Sequence, residues 1–263
     1  MKAQAQMGAL ASEVLSKAPQ ATLMFWLVKI CATTVGETGG DAVSMTLDLG
    51  YAVATLIFLG FFVVTLAAQI GARRYHPLTY WLVVVATTTV GTTTSDFIDR
   101  SLHLGYVISS AMLLALVVVV LIAWRLTTGA IAADKITSRR DEVFYWLTIL
   151  VSNTLGTALG DFTADDTGLN LGFEKGALLF AGLILAIALA YRFRAAPRAV
   201  LFWAAYILTR PLGATLGDTL TKPHEQGGFD FGRIEASLVI ALAMVALIAL
   251  TPSLRRPAAG NPT

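Results

Sequence analysis

Four aspartates placed at the ends of apolar runs are the first candidates for chemistry in this chain. Asp161 closes "LGTALGD" (155–161), Asp218 closes "LGATLGD" (212–218), and Asp41 and Asp96 hold the matching places in two earlier segments. A carboxylate inside a lipid-matched segment is costly unless it faces a cavity or a partner, and rings of acids line many cation pathways. A second set, Asp48, His103, Asn170 and Asp230, offers oxygen and imidazole ligands a few residues further on. The two sets together suit Mn, Mg or Ca and are tolerable for Zn, Co or Ni. Three charges stand apart: Lys29, Glu37 and Arg210 lie within apolar segments and each occurs once.

The spacing of these residues comes from an internal repeat. "FWLVKICATTVGETGGD" (25–41), "YWLVVVATTTVGTTTSD" (80–96), "YWLTILVSNTLGTALGD" (145–161) and "FWAAYILTRPLGATLGD" (202–218) all obey [FY]-W-x9-G-x4-D. Each is followed by "LDLG", "LHLG", "LNLG" or "FDFG" and then by another apolar run. The Asp recurs because the unit recurs. Fixed spacings of this kind mark a repeat architecture.

Composition says what the units are made for. The 263 residues are 56% hydrophobic and 14% charged, against about 25% charged in a soluble domain, and the mean hydropathy is +0.70. Windows of about twenty apolar residues match a hydrocarbon core of roughly 30 Å. The expectation is an all-α polytopic membrane protein of eight transmembrane helices from four parallel two-helix repeats, with pseudo-fourfold or nested twofold symmetry. Residues 1–21 read as an N-terminal segment with a short surface helix at 7–16. Residues 22–252 read as the membrane domain, with repeats at about 22–72, 78–126, 143–193 and 198–252, and 253–263 as a disordered tail. Most of the nineteen Lys and Arg precede a repeat Trp or lie at the termini, which makes the Trp side and both termini cytoplasmic by the positive-inside bias.

The Trp-anchored unit in four tandem copies resembles the bacterial membrane-protein family defined by a repeat of unknown function, also described as uncharacterised membrane-anchored proteins. The resemblance covers about residues 22–252 and implies a bacterial inner-membrane location and this repeat architecture. It implies no activity, so function has to come from the residues.

Each repeated position has a structural reading beside a functional one. The Trp reads as an interfacial anchor, or as a substrate contact. Gly36/Gly40, Gly156/Gly160 and Gly213/Gly217 are G-x-x-x-G pairs, and Gly91/Ser95 is a variant, which lets helices approach closely in lipid. The Asp lies about 22 Å past the Trp by helical rise. It either forms an ion site or caps the following turn and bonds hydroxyls between repeats. Because acids at close range repel unless a cation or donor groups sit among them, the four are expected either to bind a cation or to hold at least one proton at neutral pH, which also admits a proton-coupled mechanism. Thr33, Thr88, Thr92, Asn153 and Thr157 form a polar stripe behind the Asp and point to a hydrated interior. Asp48, His103, Asn170 and Asp230 read as metal ligands or as helix N-caps. Glu37 and Arg210 are expected to pair, with Lys29 below them, as a lock or as a gate beside Pro211, where a kink is expected. Glu174/Lys175 and Arg233/Glu235 read as partly solvated vestibule charges.

These readings converge on a transporter or channel for a small cation, a divalent metal foremost, through an Asp- and Thr-lined centre. The partners are the lipid bilayer and the cation, and no nucleic acid is expected. The alternative is an intramembrane enzyme or cofactor-binding protein using Lys29, Glu37 and Arg210. No P-loop, H-E-x-x-H or G-x-S-x-G is present in the sequence to support nucleotide-driven pumping or hydrolysis.

Overall fold

The computed structural model describes residues 17–72, 75–131, 136 and 138–251. The expected surface helix at 7–16 and the tail at 253–263 lie outside them. The described chain forms eight long helices: α1 (Leu23–Asp41), α2 (Gly50–Gly71), α3 (Pro77–Asp96), α4 (Tyr106–Thr128), α5 (Arg139–Ala164), α6 (Phe173–Arg192), α7 (Arg198–Thr221) and α8 (Arg233–Leu250). No strand occurs among the described residues. Helix starts carry ordinary local signals. Thr22 accepts a bond from Phe25 N at 3.3 Å, Ser138 accepts one from Asp141 N at 3.0 Å, and Pro77 opens α3, where its missing N–H costs nothing. Helix α7 continues through Pro211 to Thr221.

The odd-numbered helices make a closed inner ring, in which α1 packs on α3, α3 on α5, α5 on α7 and α7 on α1. The even-numbered helices lie outside. Each covers the inner helix of the following unit: α2 lies on α3, α4 on α5, α6 on α7, and α8 returns to α1. The last helix therefore closes the circle on the first.

Residue chemistry explains the two layers. Along α1 the buried residues include Lys29, Thr33, Thr34, Glu37, Thr38 and Asp41, whereas α8 buries Ala236 and Met244. Polar side chains go inward and aliphatic ones outward, the order required when the surroundings are lipid. Six helices, α2 and α4 to α8, are long and apolar enough to cross a membrane. This makes the chain a multi-pass membrane protein. Helices α1 and α3 have 19 and 20 residues but are too polar to count among the six.

The inner helices approach through the repeat glycines. Gly36 faces Thr88, Gly91 faces Asn153, Gly156 faces Arg210 and Gly213 faces Thr33. In each case the partner is the residue three before the glycine of the next unit, and the fourth contact closes on the first. A Cβ on Gly36, Gly156 or Gly213 would overlap that partner, and one on Gly91 would lie 3.0 Å from the Asn153 backbone.

At the other end of each motif the repeat Trp faces inward. Trp81, Trp146 and Trp203 are buried, and Trp26 is partly so. Tyr80 packs on Trp146 with ring centroids 5.4 Å apart, and Tyr145 packs on Trp203 at 5.8 Å. The expectation of headgroup anchors is corrected here: the aromatic pair of one unit interlocks with that of the next. Tyr80 and Tyr145 also share a hydroxyl hydrogen bond of 2.6 Å.

The connection at the Asp end differs between the halves of the chain. After α1 and α3 come five-residue π turns, Ala42–Thr46 and Phe97–Ser101. After α5 and α7 the helix runs on to Ala164 and Thr221, and longer loops follow. Units one and two are therefore alike, as are three and four, so the connections follow the halves of the chain and depart from exact fourfold symmetry.

Candidate functional site

Counting from the repeat glycine places the inner side chains in layers along the axis. Five positions after it come the acids of the Asp end, about three turns before it the aromatic end, and between them a layer built on Arg210. At the residue following the glycine, units one to three carry Glu37, Thr92 and Thr157, and unit four carries Ala214. Arg210, one turn earlier on α7, reaches into the space that the small Ala214 leaves. Its Nη2 donates to Glu37 Oε2 at 2.9 Å, to Thr157 Oγ1 at 2.7 Å and to Thr92 Oγ1. Its Nη1 donates to the Thr33 carbonyl at 3.3 Å. One guanidinium thus ties α7 to the other three inner helices while being 0% exposed.

The expected pairing of Glu37 with Arg210 is present as a 2.9 Å ion pair. Lys29 stands apart from it. Its Nζ lies 4.4 Å from the centroid of the Tyr206 ring, is buried, and has no hydrogen-bond partner. An ammonium over an aromatic face gains a cation–π attraction, but Lys29, Glu37 and Arg210 do not converge on one point.

The polar stripe is used for joining helices. Thr88 Oγ1 donates to the Ala32 carbonyl at 3.1 Å, Thr92 Oγ1 to the Gly36 carbonyl at 3.1 Å, and Thr33 Oγ1 to the Thr209 carbonyl at 3.1 Å. Asn153 Nδ2 donates to Thr87 Oγ1 at 3.0 Å. Thr33, Thr88, Thr92, Asn153 and Thr157 are all buried, so the expected hydrated interior is replaced at this depth by direct interhelix bonds.

Above this layer the four repeat aspartates come together, all buried. Three cations accompany them. Lys222 Nζ lies 3.9 Å from Asp41 and 3.4 Å from Asp218. Arg100 Nε lies 3.1 Å from Asp96, and its Nη2 lies 3.5 Å from Asp161. Arg233 Nε lies 3.6 Å from Asp41. The set is two bridged pairs, Asp41/Asp218 and Asp96/Asp161, rather than a uniform ring. Four carboxyl groups meet three cations, so with all of them ionised the set carries one negative charge in excess. Asp96 Oδ2 and Asp218 Oδ1 have no hydrogen-bond partner.

Sequence reasoning passed over Arg100 and Lys222 and read Arg233 as a partly solvated vestibule charge, without its contact to Asp41. Arg100 and Lys222 are each four residues after a repeat Asp, where units one and three carry Met45 and Asp165. That i,i+4 relation was the available signal.

Between the two layers Glu37, Asp41 and Asp218 each offer a carboxylate oxygen, all within 4.8 Å of one another and all buried. Three points so spaced fit within a circle of radius about 2.8 Å, close to the roughly 2.3–2.6 Å of Ca–oxygen bonds. The trio has the donor chemistry for a hard divalent cation.

The second expected ligand set has another explanation. Asp48, His103, Asn170 and Asp230 have φ of 55°, 57°, 52° and 57°, the left-handed region in which Asn, Asp and His are enriched. All four are exposed. None caps a helix: the N-cap positions of α2, α4, α6 and α8 are Leu49, Gly105, Gly172 and Gly232. The left-handed backbone accounts for Asp and Asn at this position and tolerates the His.

The sequence comparisons agree with the repeat. A family described as Repeat of Unknown Function (DUF347) matches at residues 24–75, 79–134, 144–196 and 201–256. The chain belongs to this family. Its four matched units each hold one inner and one outer helix. No curated protein and no solved structure matches the chain.

Proposed function

We propose that this DUF347 protein carries a small cation, a divalent metal foremost, across a bacterial inner membrane. The observation that carries the reading is the buried trio of Glu37, Asp41 and Asp218, whose oxygens lie within 4.8 Å of one another on the inner ring. In this reading all eight helices span the membrane, since α2, α4, α6 and α8 screen the polar inner helices from lipid. Both termini are cytoplasmic, in keeping with the basic residues before each Trp.

The neighbouring charges give the reading a mechanism. Lys222 stands against two of the three ligating acids, so an entering divalent cation competes with a tethered ammonium. The excess negative charge of the ionised set accommodates one positive charge, and displacement of Lys222 accommodates the second. Arg210 blocks the axis towards the Trp end, and the buried aromatics beyond it form a second barrier. Passage therefore requires Arg210 to leave its four partners, which makes it the gate and Glu37 the residue linking gate to ion site.

Flux measurements in proteoliposomes, across Mn, Mg, Ca, Zn, Co and Ni, test the reading. The wild-type chain is expected to move at least one of these ions, and a variant with all four repeat Asp changed to Asn is expected to lose that flux while still folding. Wild-type flux in the folded quadruple variant would make the aspartates joints between repeats and end the proposal.

A further inference from the structure

One group of polar side chains away from the axis is left unsatisfied. An open pocket of about 410 Å³ lies at the Asp end of unit two, between the turn after α3, the start of α4 and Thr167 of the connection after α5. Asp99 and His103 both line it. Asp99 is 6% exposed, and its Oδ2 accepts a bond from Ser95 Oγ at 3.3 Å. Ser109 also lies beside the carboxyl, but its hydroxyl donates to the Tyr106 carbonyl at 3.3 Å, and Asp99 Oδ1 is buried and makes no hydrogen bond. A carboxylate oxygen removed from water without a donor or cation is costly, so something must commonly answer it.

The nearby cation does not. Arg100, adjacent in sequence, is turned to Asp96 and Asp161. Nor does the turn need an acid here. The equivalent residues are Ser44, Ala164 and Thr221, and the two hydroxyls bond their own helix, Ser44 to the Gly40 carbonyl and Thr221 to the Gly217 carbonyl, both at 2.9 Å. A second acid close to the pocket behaves differently: Asp165 accepts from Thr167 N, Thr167 Oγ1 and Tyr106 Oη, each at 3.2 Å. Asp99 keeps one buried oxygen without a hydrogen bond, whereas Asp165 accepts three.

His103 adds the second half. Its left-handed turn position is filled by Asp48, Asn170 and Asp230 in the other units, so the backbone requires no imidazole. Unit two alone combines an imidazole at this position with a carboxylate four residues before it. A carboxylate oxygen and an imidazole nitrogen together suit a divalent first-row metal such as Mn, Co, Ni or Zn.

We propose that Asp99 and His103 bind a divalent transition-metal ion in this pocket, with water completing its coordination. The site is distinct from the axial trio and stands whether or not the chain transports an ion. Its test is a Co²⁺ titration of the tag-free full-length protein in detergent, followed by visible absorption, with Zn²⁺ calorimetry alongside. Two variants are informative: His103→Asn keeps a residue suited to the left-handed backbone, and Asp99→Asn keeps size and hydrogen-bonding capacity. Each is expected to weaken one binding event at least tenfold while leaving thermal stability near wild type. The variant with the four repeat Asp changed to Asn is expected to retain that event. Unchanged titrations in both single variants would overturn the proposal, and so would loss of the event in the quadruple variant alone.

Discussion

Two adjacent layers of the inner ring place opposite charges side by side and treat them differently. In the Arg210 layer the guanidinium meets Glu37 at 2.9 Å and Thr157 at 2.7 Å, with no exposure. In the Asp layer the closest contacts of Arg100, Lys222 and Arg233 with carboxylates run from 3.1 to 3.9 Å, and Arg100 and Arg233 side chains are 32% and 24% exposed. The first layer matches charge one to one and adds three further acceptors. The second has four acids for three cations and leaves two carboxylate oxygens without hydrogen bonds. The contrast separates a tightly fastened layer from a looser one whose charges are unequal in number.

The largest expected effect is therefore on the fastening. Arg210→Met removes the four bonds that join α7 to α1, α3 and α5 and leaves Glu37 buried and unpaired. Breaking a buried pair costs about 3–5 kcal/mol, and the thermal transition in detergent should fall steeply. Adding Glu37→Gln removes the stranded charge, so the double variant should be more stable than Arg210→Met alone. If the two losses simply add, the pair is not coupled and the layer is no lock.

A smaller loss is expected where backbones meet. Gly213→Ala puts a methyl group into Thr33, and Gly36→Ala puts one into Thr88. Overpacking of this kind costs about 1–3 kcal/mol. Gly39→Ala is the control, since its nearest neighbour would be Ser237 Oγ at 3.8 Å, and it should melt as the wild type does. Equal losses at Gly39 and Gly36 would show that glycine acts through the chain's flexibility rather than through close approach.

These glycines show what could be read before any coordinates. The [FY]-W-x9-G-x4-D spacing identifies the unit, the two helices within it, and which residues share a depth, because each depends on local periodicity. The partner of each glycine also follows the repeat, three residues before the next glycine, yet that offset is a property of helix crossing and cannot be taken from one unit alone. Placement of each outer helix on the following unit, α2 on α3 and α8 on α1, likewise depends on packing between units. The repeat Trp illustrates a different limit. An aromatic residue after a basic loop has the same local sequence whether it faces headgroups or its neighbours' rings, and here Trp81, Trp146 and Trp203 face rings. Arg100 and Lys222 were hidden for a third reason: their position carries a cation only in units two and four, and a search for positions shared by all four units passes over it.

The Asp layer should respond less in stability and more in ion handling. Lys222→Ala removes the cation between Asp41 and Asp218, which on the exchange reading should raise divalent-ion affinity at the axial trio, measured by calorimetry. Part of the pairing energy is lost, but these longer contacts contribute less than the Arg210 bonds. Weaker ion binding in Lys222→Ala would mean that the ammonium organises the acids rather than competing for them.

The smallest expected effect separates backbone need from side-chain chemistry. His103 has φ of 57°, and a β-branched residue there is a true conformational outlier, whereas Asn visits this region readily. His103→Asn should leave the thermal transition within a degree or two, and His103→Val should lower it by roughly the 1–2 kcal/mol that left-handed backbone costs an ordinary residue. The same pair of changes at Asp48 should behave alike, since its φ is 55° and its turn has the same form. The two positions part only in metal titration, because Asp48 has Ser44 where His103 has Asp99. If Asn and Val are tolerated equally at both, the left-handed turn does not select these residues, and the ligand-like set of Asp48, His103, Asn170 and Asp230 regains a chemical reading.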